Sequence, residues 1–144
     1  MTACAVRIAA SVVVGMTFAA CATSPAAQTP DVTVELIQLA PEPSRISLTA
    51  RMDGSLAVRN GCVHLISSQS GLALLAVWPP SYQLWRSNGE VKGITDTATG
   101  RTLAFGVRTM FGGGEAKHIL ASELKTPIPP ACNNPTVYAE FSSL

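Results

Sequence analysis

Apolar and polar residues alternate along much of this chain with period two, the spacing of a half-buried β-strand. Ile46, Leu48, Ala50 and Met52 alternate with Ser47, Thr49 and Arg51, and Thr136 to Ser142 repeats the pattern. Asp31 to Leu39 alternates at Val32, Val34 and Leu36 before Pro41 and Pro43 close it off. Between these lie Ser55–Arg59, Cys62–Ile66, Leu72–Trp78, Gln83–Arg86, Glu90–Ile94, Thr102–Phe105 and Val107–Phe111, all short and all strand-like.

Turn chemistry punctuates them. Asp53-Gly54 predicts a hairpin turn, and Ser87-Asn88-Gly89 predicts another. Asn60-Gly61 reads as either a tight turn or a bulge, and the very short strands on both sides favour the bulge, which also re-aims Cys62. Pro79-Pro80 must lie at a strand end or sheet edge, because neither residue can donate to a ladder. Gly112-Gly113-Gly114 predicts a tight loop with positive φ. Glu115 to Lys125 is the one helical candidate, with Ile119, Leu120 and Leu124 on a common face. Many short strands with frequent turns predict an all-β domain, a small barrel or sandwich of short antiparallel strands with at most one short helix near 115–125.

The first residues break this pattern. Met1 to Arg7 carries one positive charge and no acid, and Ile8 to Ala20 carries no charge at all. That apolar run falls short of the roughly 20 residues a membrane-spanning helix needs. A basic start, a short apolar stretch and small residues at its exit predict a signal peptide over residues 1–20. Phe18-Ala19-Ala20-Cys21 resembles a bacterial lipobox, which implies cleavage before Cys21 and lipid on its sulfur. Phe18 departs from that pattern, where Leu is usual. Cleavage after Ala22 or Ala27 is the competing outcome and would release a soluble protein. Ala22 following the cysteine implies outer-membrane sorting in a Gram-negative cell. Residues 21–43 then read as the cysteine, a linker and a candidate short strand, and residues 44–144 as the β-domain.

Composition narrows the function classes. The overall 47% hydrophobic content is raised by the leader and does not indicate a membrane-embedded domain. Of the 10 Lys+Arg only Arg7 leaves with the leader, so bases then balance the 9 Asp+Glu. Neither sign clusters, so the basic stripe that nucleic-acid binding requires is missing. Of the 4 cysteines, Cys4 lies in the leader and Cys21 at its exit. Cys62 and Cys132 remain as an even pair, which an oxidising compartment favours as a disulfide over two buried thiols. No Cys-x-x-Cys or His-x₃-His spacing points to a metal, and no cofactor motif is present.

Candidate chemistry is sparse. Trp78, Tyr82 and Trp85 are placed to form a ligand platform, or to serve as core lids. His64 sits in an apolar strand and reads as a core or edge residue. Ser67, Ser68 and Ser70 lack the G-x-S-x-G elbow of a serine hydrolase. The glycine run lacks the Lys-Ser/Thr of a phosphate loop, and Glu115 would repel phosphate. Asp53, Asp96 and Glu115 are scattered acids whose pairing sequence does not specify.

Gly61-Cys62, the Val77–Pro80 stop, Phe111–Glu115 and Pro130-Ala131-Cys132 before Tyr138 occur in a characteristic order. The stretch from about Leu56 to Phe141 resembles a group of small bacterial secreted or lipoprotein β-domains of unknown function, OB-like and cysteine-paired. The resemblance implies a Cys62–Cys132 bridge and a small closed barrel, and it carries no catalytic residues.

The functional expectation is therefore an exported, lipid-anchored envelope protein with a binding or structural domain. Its partners would be the membrane, through the N-terminal lipid, and an envelope protein or glycan ligand. The alternatives are a periplasmic hydrolase acting on cell-wall or glycan substrates and an inhibitor of lysozyme-type enzymes.

Overall fold

A computed structural model describes residues 33–41 and 50–142. The leader, Cys21, the linker at 22–30 and the Ile46–Leu48 part of the first strong alternation lie outside the described residues.

The continuous apolar run Ala73–Trp78 forms strand β4, and both of its faces are covered. Ala76 and Trp78 point into one apolar cluster while Leu75 and Val77 point into a second. Burial on both faces is why this strand is apolar throughout rather than alternating. β3 (Cys62–Ser67) pairs antiparallel with it, His64 opposite Leu75. β2 (Ala50–Arg59) pairs with β3 on one side and with β8 (Arg108–Glu115) on the other. β9 (Thr136–Phe141) runs antiparallel to β8 and also pairs parallel with β4 over three residue pairs. β1, only Ile37–Gln38, adds in parallel at the far end of β4. The order of this six-stranded sheet is β1-β4-β3-β2-β8-β9, and the β4–β9 pairing draws its last strand back against β4.

The remaining three strands, β5 (Tyr82–Ser87), β6 (Glu90–Asp96) and β7 (Thr102–Ala104), make a separate antiparallel sheet. Of the barrel and the sandwich expected from the sequence, the barrel is corrected: the strands of the domain do not close into one barrel but divide between two sheets. This is an all-β architecture with no long helix among the described residues, consistent with a small β-sandwich. The reason lies in the segment after Pro79-Pro80. Its strands form backbone ladders only with one another and meet the larger sheet through side chains. Tyr82 and Ile94 enter the main cluster with Leu56, Val63, Leu65, Trp78 and Phe111. The Tyr82 ring centroid lies 5.1 Å from that of Trp78 and 5.0 Å from that of Phe141. The Phe141 backbone N–H donates to the Tyr82 hydroxyl at 2.7 Å.

Three local expectations change with the register. Asp53-Gly54 is not a turn, because β2 runs straight through it. A Cβ on Gly54 would lie 2.3 Å from the Ile66 carbonyl oxygen, so glycine is needed there for the close approach of β3. Asn60-Gly61 is a tight turn and not a bulge: φ is 51° and 79°, and Arg59 pairs directly with Cys62. Two successive positive φ values match the twist of the flanking strands. Gly112–Gly114 is not a loop but the interior of β8, between β2 and β9.

The helix considered for 115–125 is reduced to a 3-10 turn at Ala121–Glu123. Its apolar residues do not share a face, since Leu120 is 62% exposed while Ile119 and Leu124 pack on the second cluster. The whole stretch 116–135 is an irregular strap over the outer faces of β3, β4 and β9, closed by a second 3-10 turn at Pro130–Cys132. Backbone bonds hold it on both sides: the Lys125 N–H donates to the Gln38 carbonyl and the Leu75 N–H to the Pro135 carbonyl.

Candidate functional site

Cys62 and Cys132 form a disulfide with Cα atoms 5.9 Å apart, tying the strap to the start of β3. Both residues are buried. Next to this bridge His64 is fully buried on the outer face of β3. Its Nδ1 lies 3.0 Å from the Cys62 carbonyl oxygen, and its Nε2 lies 2.9 Å from Nδ2 of Asn134 on the strap. Both ring nitrogens are thus engaged within the fold.

The three aromatic residues considered as a platform are not brought together on one face. Trp78 is 0% exposed and Tyr82 4%, both inside the main cluster. Trp85 alone reaches solvent, at 37%, on the outer side of the three-stranded sheet opposite Gly93. Alternation along β5 causes this separation: Tyr82 and Leu84 face inward, so Gln83 and Trp85 face outward. Burial pushes the Tyr82 hydroxyl up to about 12.

The serines and acids are also spoken for locally. Ser67 Oγ accepts from the Ser70 N–H, and Ser68 Oγ donates to the Asp53 carbonyl. Burial raises the Asp96 carboxyl, yet it ends below the usual carboxylate range because the Thr99 and Ser81 hydroxyls and the Ala98 N–H outweigh burial. Asp96 therefore closes the turn before β7. Glu115 forms an exposed ion pair with Lys117. Among the described residues no group of His, Cys, Asp and Glu is arranged to hold a metal ion.

Where polar groups do converge is a cleft of about 380 Å³ lined by Asp53, Arg101, Arg108, Thr109, Met110 and Ser142. Strand register builds it. Asp53 pairs with Met110 and Ser55 with Arg108, so Asp53, Met110 and Arg108 stand on the same outer face of β2–β8. Arg108 lies diagonally across from Asp53 and grips it: its Nε donates to Oδ1 at 3.0 Å and its Nη2 to Oδ2. Nη2 also reaches Ser68 Oγ at 3.4 Å. The hydrogen bonds from Arg108 and Ser68 hold the Asp53 carboxyl down at about 2. Arg101 enters from the turn ahead of β7. Its Nη1 donates to the Ser142 carbonyl at 2.8 Å, and its guanidinium carbon lies 5.2 Å from the Phe141 ring centroid. A cation over an aromatic face is held electrostatically as well as by packing.

Sequence reading missed this cleft. In sequence Asp53 reads as a turn residue and a scattered acid, and nothing nearby marks Arg108 as its partner or Arg101 as a neighbour in the same cleft. Asp53 and Arg108 are 55 residues apart, and only the register of β2 against β8 makes them neighbours. Comparison with known proteins finds no family model, no curated protein and no solved structure that matches the chain.

Proposed function

We propose that the chain is exported to the bacterial cell envelope, lipidated at Cys21, and carries its two-sheet domain there as a non-enzymatic binding module. The observation that supports the reading is the Cys62–Cys132 disulfide. Such bonds persist in oxidising compartments and are rare where glutathione and thioredoxin keep thiols reduced. It agrees with the basic-then-apolar leader, whose exit residues are small. Attachment through more than one acyl chain would hold the domain stably at the membrane, whereas a single chain would not.

Expression of the full chain in a bacterium, fractionation and intact-mass measurement test the proposal. The expected species is membrane-bound, begins at Cys21 and carries the added mass of diacylglycerol. Cys21→Ala should abolish that added mass. An unmodified soluble chain beginning at Thr23 would overturn lipidation, and an uncleaved cytoplasmic chain with free thiols would overturn export.

A further inference from the structure

The two guanidinium groups of the Asp53–Arg101–Arg108 cleft are each held in place with donors to spare. Arg108 uses Nε and Nη2 on Asp53 and Ser68, and its Nη1 has no partner among the described residues. Arg101 uses Nη1 on the Ser142 carbonyl, and its Nε and Nη2 have no partner among the described residues. Arginine is kept in one orientation here by a bidentate carboxylate in one case and by an aromatic ring and a carbonyl in the other. Orientation before binding lowers the ordering cost that a ligand otherwise meets.

Charge then selects the ligand class. Two guanidiniums and one carboxylate are among the residues lining the cleft, a surplus of one positive charge on its wall, and Asp96 acts on Arg101 from outside that lining. A monoanion balances that surplus. A phosphate dianion would overshoot it and stand against the Asp53 carboxylate. Guanidinium N–H pairs match a carboxylate in planar, bidentate fashion. Met110 is 39% exposed and supplies an apolar wall beside the charged groups. A ligand that uses both features carries a carboxylate next to small apolar substituents.

We propose that this cleft binds the terminal carboxylate of a peptide ending in small apolar residues, with Arg101 and Arg108 donating to the carboxylate and Met110 packing on the side chain. The inference holds wherever the chain resides, so it does not depend on the export reading. The volume, about 380 Å³, is sufficient for a peptide terminus and lies at the small end of ligand sites.

Calorimetric titration of the purified chain with N-acetyl-alanyl-alanine, with the amide of the same dipeptide, and with inorganic phosphate tests this. The free acid should bind, the amide at least about tenfold more weakly, and phosphate more weakly than the acid, a tenfold loss being about 1.4 kcal/mol. Arg101→Gln should lower affinity for the acid by about tenfold, and Arg101→Lys should restore it only in part, because an ammonium lacks the planar fork. Equal binding of acid and amide, no binding of the acid, or phosphate binding tighter than the acid would each overturn the proposal. So would an Arg101→Gln variant that binds the acid as the parent does. The acid-to-amide comparison on the unaltered chain keeps the test decisive even if a variant fails to fold.

Discussion

Asn134 donates from Nδ2 to Nε2 of His64, joining the strap to the outer face of β3 across 70 residues of chain. The tautomer follows from the two partners. A carbonyl oxygen only accepts, so Nδ1, facing the Cys62 carbonyl, carries the proton. Nε2 is then the acceptor and the Asn134 amide the donor. The side chain is fully used as a connector, which explains why an imidazole sits buried between Val63 and Leu65. Replacing His64 by Leu should cost about 1–3 kcal/mol, because the Cys62 carbonyl loses its partner in the interior. The coupling energy with Asn134→Ala, measured by a denaturation double-mutant cycle, should be at least about 0.5 kcal/mol. Additive single effects would show that the two residues do not act together.

The disulfide spans a sequence separation of 70 residues. Fixing a loop of that size is worth about 4 kcal/mol in the chain-entropy description. The double variant Cys62→Ser, Cys132→Ser should therefore lose about that much in urea denaturation. The strap carries no strand of its own beyond two 3-10 turns, so it should also become the first segment cut in limited proteolysis. Cleavage confined to the turns of the three-stranded sheet would contradict this.

Neighbouring glycines in β8 should respond differently to alanine. A Cβ at Gly113 would lie 1.9 Å from the Tyr138 carbonyl oxygen, and φ there is 150°. Both the backbone and the space refuse a side chain, so Gly113→Ala should cost about 3 kcal/mol or more. At Gly112 the nearest atoms are those of the exposed Glu140 side chain, at 3.0 and 3.1 Å. That chain can swing away, and Gly112→Ala should cost less than about 1 kcal/mol. Equal shifts in denaturation midpoint would refute the assignment of Gly113 as the point of closest strand approach.

Asp53 sets part of the acid limb of stability. Its carboxyl is held at about 2, below its ordinary 3.8, by Arg108 and Ser68. A folded-state value below the unfolded one means stabilisation that is complete above the unfolded value and lost as pH falls through the folded one. The pair should thus contribute above pH 3.8 and fade between 3.8 and about 2. Asp53→Asn should remove that slope from melting temperatures recorded across the interval. High salt should shrink the difference between parent and variant, because the pair lies on the surface. An unchanged slope in Asp53→Asn would sink the assignment.

Individual strands were legible because each carries its own local signal. Thr136–Phe141, Ala73–Trp78 and Glu90–Asp96 occupy almost the segments that alternation and bounding turns point to. The Asn88-Gly89 turn was equally plain, since two positive φ values in succession favour Asn and Gly. Glycine was misread at two positions where its role is non-local. Gly54 and Gly113 look like turn residues, but what requires them is the carbonyl of another strand, Ile66 in one case and Tyr138 in the other. A steric demand from a distant segment leaves no mark on neighbouring residues. The three aromatic residues part for a similar reason: Trp78 and Tyr82 enter the main cluster, while the pleat of β5 turns Trp85 to solvent.

The sequence by itself determined an all-β domain, most of its strand segments and Cys62 and Cys132 as the candidate disulfide pair, because periodicity, turn residues and cysteine number are properties of short stretches or simple counts. Only the tertiary structure decided that the strands divide between two sheets, that a strap covers the outer face of β3, β4 and β9, and that Asp53, Arg101 and Arg108 line one cleft. Those outcomes depend on register and on which faces meet, and a shift of one residue in register would reverse every side chain involved.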